Sequence, residues 1–418
     1  MMADAAGQTD FRSRLRSLDW RNLDLRRIAQ PIAIASPLAL IVSAQEAAMI
    51  AVALLFLAHS WRERDWSWAR SGWFVALLTL WAYASLRTLL LNPTVTGVLT
   101  ALQWIHFAIY AAALATWILP QARARDQLLW ALAATIAFFS LDCLVQYVVG
   151  RDIIGRPMSP DRLTSVFGKP GVGAEIGWLF LPAVAGLWGK SHSIPALILG
   201  VVALAAVLLS GDRMALIFSL AAILLFCLFA ARTQKALLVA LPVVSLVLAA
   251  LLYFNPGIYN RQIGSTETVL ERVNDSVYGV IFKTALDVAS DHPVFGVGVH
   301  NYQAVCTQDK YGALLVGPNN FKRCQGHPHN IYLQWLAETG GVGLALFSAF
   351  AVLVLVALER AARNHRGDVL FVALAVALAL RLWPLQTATS FYSTWSAAPF
   401  FLILGWALVY SRSESADG

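Results

Sequence analysis

The residues whose types and spacing can do chemistry cluster near position 330. Gly326-His327-Pro328-His329-Asn330 leads into Ile331-Tyr332-Leu333-Gln334 and then Ala337-Glu338-Thr339-Gly340-Gly341. His327 and His329 flank a proline, which favours an extended turn. Asn330 is a residue type that opens helices, and a helix is expected after it. An imidazole at such a start feels the positive end of the helix dipole. That lowers its pKa and keeps it neutral near pH 7, fit to act as a general base, with Asn330 to orient it. Two other readings stand beside this one. Each histidine can simply hydrogen-bond to backbone, or the pair can hold a metal. The metal reading lacks a set of Asp, Glu or Cys at zinc spacing, so no metal site is expected.

Cations form a second group. Arg162 and Lys169 share one polar interval, and Arg213 stands in Gly211-Asp212-Arg213 between two apolar runs. Arg261, Arg272, Lys283, Lys310, Lys322 and Arg323 lie in the long polar interval from Asn255 to Gly341. Such residues suit an anionic group at a membrane surface, a lipid phosphate or pyrophosphate. They can also snorkel to headgroups, and Asp212 can pair with Arg213. Cys306 and Cys324 share the long interval, and a bridge between them would contribute about 3 kcal/mol in the chain-entropy model. Cys143 and Cys227 sit in apolar runs and read as packing residues.

What must position these groups is a membrane domain. Of 418 residues 58% are hydrophobic and 13% charged, with mean hydropathy +0.63. Soluble domains carry about 25% charged residues, so repeated apolar runs at this composition indicate an all-α polytopic membrane protein. The net charge of +7 does not indicate nucleic acid, because its placement follows membrane topology. Apolar stretches run 31–42, 47–58, 73–91, 97–119, 128–149, 172–188, 194–210, 214–231, 236–254, 341–358, 369–383 and 395–410. The first two read as a hairpin around Gln45-Glu46; a signal peptide cut after Val42-Ser43-Ala44 is the alternative. With the hairpin there are about twelve spans, and both termini lie on the side where Arg and Lys collect in short loops. The long interval then faces outward, into an oxidising compartment that suits a Cys306–Cys324 bridge.

With these pieces in order, the chain resembles the O-antigen ligase/polymerase superfamily, and most closely its O-antigen ligases. The matching pieces are Arg162-Leu163-Thr164-Ser165-Val166-Phe167-Gly168-Lys169-Pro170, Arg213 at a span start, and Arg272 early in the loop. His292-Pro293-Val294-Phe295-Gly296-Val297-Gly298 and His329-Asn330-x-x-Leu333 with Glu338-x-Gly340 complete the set. Gly171 follows Pro170 where relatives often have Asn. The resemblance implies a metal-independent, cofactor-free, inverting glycosyltransferase with a GT-C-like fold in the bacterial inner membrane, its active site facing the periplasm. Its donor would be O-antigen on undecaprenyl pyrophosphate, and its acceptor a lipid A-core sugar hydroxyl. His329 would be the base. Arg213 and Arg272 would bind the pyrophosphate, with Arg162, Lys169, His327 and Asn330 as further substrate-binding candidates. The implied organisation is a cytoplasmic tail at 1–30 and about nine spans over 31–254. The catalytic loop occupies 255–340, about three spans 341–411, and a tail 412–418. An O-antigen polymerase or an O-linked protein oligosaccharyltransferase would share this architecture. A transporter would want charges at mid-span, for which His106, Asp142, Glu175 and Arg381 are the few candidates.

Overall fold

The computed structural model describes residues 23–39, 42–159, 162–230, 245–246, 249–250, 252–253, 255–264, 276–311, 315–316 and 321–411. Among these the architecture is helical. The only sheet among the described residues is a two-stranded antiparallel ladder, Leu315–Val316 against Phe321–Lys322. Among the described residues, six helices are long and apolar enough to cross a membrane: Ser43–Glu63, Gly72–Leu91, Val95–Ile118, Ala122–Val149, Val172–Gly189 and Ile331–His365. Shorter apolar helices cover Ser193–Leu209, Arg213–Phe229, Val369–Arg381 and Thr394–Leu408. The chain is therefore a multi-pass helical membrane protein. The expected span over 236–254, both terminal tails and Arg272 itself fall largely or wholly outside the described residues.

The expected N-terminal hairpin is present with its turn displaced. Leu25–Ala35 is followed by a 3-10 turn, Ser36–Leu38, and the chain returns as Val42–Glu63. Arg62 near the end of the second helix donates to the Leu23 carbonyl at 2.8 Å, so the two far ends meet. The turn lies at Pro37, which fixes φ and lacks an N–H, and not at Gln45-Glu46, which lie inside the second helix. Ser36 seals it by hydrogen bonding to the Ala33 carbonyl and to the Tyr110 hydroxyl, each at 2.8 Å.

Val172–Gly189 is the central helix. It packs against Ser193–Leu209, Val369–Arg381, Ala122–Val149 and Arg213–Phe229. Gly186 makes one of these approaches possible, since a Cβ there would stand 2.4 Å from a Leu129 methyl. Aromatic rings fill the neighbouring core: Trp104 meets Trp335 at 5.8 Å and Phe401 at 5.7 Å between centroids.

Two polar devices fix the loops at one end of this bundle. The first holds the segment after Ala122–Val149. Buried Asp142 accepts from the Ile153 amide at 2.7 Å, the Val166 amide at 3.0 Å and the Ser165 hydroxyl. Gln146 accepts from the Thr164 and Ser165 amides at 2.8 and 2.9 Å. Asp142, a mid-span charge by sequence, is thus committed to loop structure.

The second device is a kink. Ile331–His365 is one long helix broken at Gly340, whose φ of +69° lies in the left-handed region. The segment 293–298 lies against this break. The amides of Val297 and Gly298 donate to the carbonyls of Ala337 and Glu338 at 2.9 and 2.7 Å, and the Gly341 amide donates to Pro293 at 2.7 Å. Arg87, buried in Gly72–Leu91, clamps the same segment by donating to the carbonyls of Phe295, at 2.6 Å, and Gly296. The Gly-x-Gly at 296–298 is therefore a backbone contact surface.

Candidate active site

At the end of the bundle where these loops gather there is a cavity of about 450 Å³. It is walled by Arg162, Lys169, Asp212, Arg213, Tyr278, His327 and His329 toward the loops, and by Glu175, Trp178, Leu181, Phe218, Ala222 and Arg381 deeper in the bundle. Five of the residues marked out by sequence, Arg162, Lys169, Arg213, His327 and His329, thus share one wall system although they span 168 positions of chain.

Each is held by a local device. Asn330 caps the helix Ile331–His365, its side-chain oxygen accepting from the Leu333 amide at 3.0 Å. Its amide nitrogen donates to the carbonyls of Pro384 at 2.6 Å and Gln386 at 3.0 Å. Both ends of Asn330 are thereby used. It does not orient an imidazole, as its sequence neighbourhood suggested, and it does not line the cavity; it fixes the backbone that carries His329. That backbone is bent into the left-handed region, φ +54° at His329, at a cost of roughly 1–2 kcal/mol. The bend is held by the Ala388 amide donating to the His329 carbonyl at 2.8 Å. Gln334, one turn on, binds the Ser390 hydroxyl at 2.7 Å and accepts from the Phe391 amide at 3.0 Å. The start of this helix thus aligns both the histidines and the loop 384–391.

The two imidazoles lie 4.2 Å apart between ring centroids, and Tyr278 approaches His329 edge-on at 6.1 Å. Burial pushes His327 down to about 4, with the neighbouring His329 adding to the effect and a hydrogen bond to the Ala388 backbone opposing it. Burial lowers His329 as well, and the charge of Arg162 adds to it. Both rings are neutral near pH 7, chiefly through burial, with the Arg162 guanidinium adding to the effect at His329. His327 Nε2 is buried with no hydrogen-bond partner, which leaves this ring poorly placed to accept and pass on a proton.

The cations come from three loops. Arg162 pairs with Asp212 at 3.2 Å. Asp212, which the sequence could equally pair with its neighbour Arg213, forms this longer-range ion pair, and Arg213 opens its helix at the cavity wall. Burial raises the Asp212 carboxyl, against the pull of Arg162 and Arg261. Arg261 itself donates to the Gly211 carbonyl at 3.1 Å, and Gln262 to Leu208 at 2.8 Å, docking the start of the long loop on this turn. Lys169 lies 4.8 Å from the Trp395 ring centroid, a cation–π contact at the rim.

Sequence reasoning missed Tyr278, the loop 386–390 and, as site residues, Glu175 and Arg381, which it weighed only as transport charges. Their signal was an ionisable residue within or at the end of an apolar run. Cys306 and Cys324, with Cα atoms 5.4 Å apart, are joined by a disulfide in the structure; it staples the loop behind Tyr302 and Tyr311, away from the cavity. Among the described residues no group of three or more His, Cys, Asp or Glu is placed to hold a metal ion.

Residues 198–348 match a protein-family model described as O-antigen ligase. The match takes in Arg213, the disulfide and both cavity histidines; Arg162, Lys169 and the loop 384–391 lie outside it. No curated protein matches the chain.

Proposed function

We propose that the chain, whose residues 198–348 match a family model described as O-antigen ligase, is an inverting glycosyltransferase of that superfamily. It transfers O-antigen polysaccharide from undecaprenyl pyrophosphate to a sugar hydroxyl of lipid A-core. In this reading His329 takes the proton of the acceptor hydroxyl as that oxygen attacks the anomeric carbon from the face opposite the pyrophosphate. The carbon–oxygen bond to the pyrophosphate breaks with inversion, and undecaprenyl pyrophosphate leaves. Arg213, Arg162 and Lys169 compensate its charge, and we assign Arg272 to the same task. A pyrophosphate so neutralised is a good leaving group, so the reading calls for no metal and no covalent intermediate.

The observation that carries this reading is a neutral, half-buried His329 beside Arg162 in a cavity that also holds Arg213 and Lys169. One wall supplies a base and another compensates an anion, which is what a phosphate-leaving transfer requires. Of the two histidines, His329 is the better base. A base works best with its pKa near the operating pH, and His327 is depressed to about 4.

The reading includes a GT-C-like bundle of about twelve spans in the inner membrane, with the cavity opening to the periplasm. The loop 255–340 forms the catalytic region between about nine spans and about three more. The test is the lipopolysaccharide of a deletion strain. A ligase null keeps long chains on the undecaprenyl carrier and loses them from lipid A. A core carrying a single repeat would identify a polymerase instead.

A further inference from the structure

Below the ring of histidines and arginines the cavity is lined by two ionisable residues, Arg381 and Glu175, that the reaction above does not use. The Arg381 guanidinium lies over the Trp178 ring, 4.7 Å from its centroid, and donates to the Ser396 hydroxyl. Its Nε is buried and has no hydrogen-bond partner. Glu175 lies on the same wall and attracts it electrostatically.

Depth decides what this pair can meet. Trp178 stands six residues into Val172–Gly189, so Arg381 sits about 9 Å below the outer end of that helix. Deeper still, Leu181, Phe218 and Ala222 form an apolar floor. A guanidinium at the border of a polar chamber and an apolar floor is costly unless it serves a ligand. A lipid-linked pyrophosphate has the matching layout: hydrocarbon, then phosphate, then phosphate and sugar.

We propose that Arg381 is a substrate-binding residue that holds the donor phosphate nearest the hydrocarbon chain, and that Glu175 is the carboxylate which this phosphate displaces. The assignment rests on the reading of the cavity as the donor site. Stacking on Trp178 holds the guanidinium at the cavity wall with its Nε–H still without a partner. Glu175 neutralises Arg381 while the cavity lacks a donor, and its release on binding sets a penalty that lowers donor affinity.

The experiment uses the full-length protein in detergent and undecaprenyl pyrophosphate as probe, with binding read by thermal stabilisation and transfer read separately. Arg381→Gln is expected to raise the Kd for the probe by about tenfold or more, and Arg381→Lys by several-fold, since charge without the fork is a poorer match. In transfer assays the donor KM should rise while kcat and the acceptor KM stay within about threefold. Glu175→Gln should instead tighten probe binding, because the competing carboxylate is gone. Unchanged probe affinity in both Arg381 variants, or weaker binding in Glu175→Gln, would overturn the assignment. A wild-type protein that binds the probe through Arg381 yet transfers no glycan would sink the proposed function and leave this assignment standing.

Discussion

Arg162 and Asp212 form an ion pair of 3.2 Å that ties the loop after Ala122–Val149 to the turn before Arg213–Phe229. The same guanidinium helps to lower the pKa of His329. In the proposed reaction Arg162 therefore links the anion-binding and proton-accepting halves of the cavity. Arg162→Gln is expected to lose about 10²–10³ in kcat/KM, as for removal of one transition-state donor. It should also move the acid limb of the pH profile upward, because one cause of the lowered His329 pKa is gone. Arg213→Lys, which keeps charge and loses the fork, should lose nearly as much as Arg213→Ala. Steady-state kinetics across pH check both; an unmoved acid limb in Arg162→Gln would contradict the link.

Stability should depend on pH through the histidines. His327 is depressed from 6.5 to about 4 in the folded protein. A depressed group contributes stability that is complete above its unfolded pKa and is lost as pH falls toward the folded one. Tm should therefore drop between about pH 6.5 and pH 4, and His327→Phe should flatten that slope. Thermal unfolding at several pH values reads it directly.

The kink should be intolerant of a single methyl. A Cβ on Gly296 would stand 2.4 Å from the Glu338 carbonyl carbon, and one on Gly340 would stand 2.1 Å from the Val294 oxygen. Both obstacles are backbone, and both glycines have positive φ. Gly340→Ala and Gly296→Ala should each lower stability by several kcal/mol, on the order of the larger single-site effects. Tm and yield of folded protein are the measurements. Gly257→Ala, where nothing lies within 4 Å, serves as the control.

Reduction should loosen the outer loop without touching the cavity directly. The Cys306–Cys324 bridge closes a separation of 18 residues, worth about 3 kcal/mol in the chain-entropy model. Proteolysis of that loop should accelerate in reductant, while the membrane helices stay resistant. Equal protection with and without reductant would remove the bridge from the account.

Much of this was legible in the sequence, for reasons that differ by residue. Apolar runs mark helices in any polytopic protein, and among the described residues the N-terminal turn differs because Pro37, not Gln45-Glu46, makes it. His329, Arg213, Arg162 and Lys169 stood out because cations and imidazoles are rare in such a chain. What sequence could not carry is pairing at long range. Nothing near Asp212 says that it reaches Arg162 across the bundle. Nothing near Asn330 says that both ends of its amide are taken by Leu333 and by the carbonyls of Pro384 and Gln386. Arg87 was read as part of a span, and its role as a clamp appears only when segment 293–298 lies against it. Arg381 was visible as a charge, but the ring beneath it and the cavity beside it come from other helices.

The central claim is that His329 is the base. The direct measurement is transfer from undecaprenyl-pyrophosphate-linked O-antigen to lipid A-core by purified protein in proteoliposomes, comparing His329→Ala with His327→Ala. The account expects His329→Ala to lose about 10²–10⁴ in kcat with its Tm preserved, and His327→Ala to lose far less. Near-normal turnover by His329→Ala, above all beside an inactive but folded His327→Ala, would contradict it.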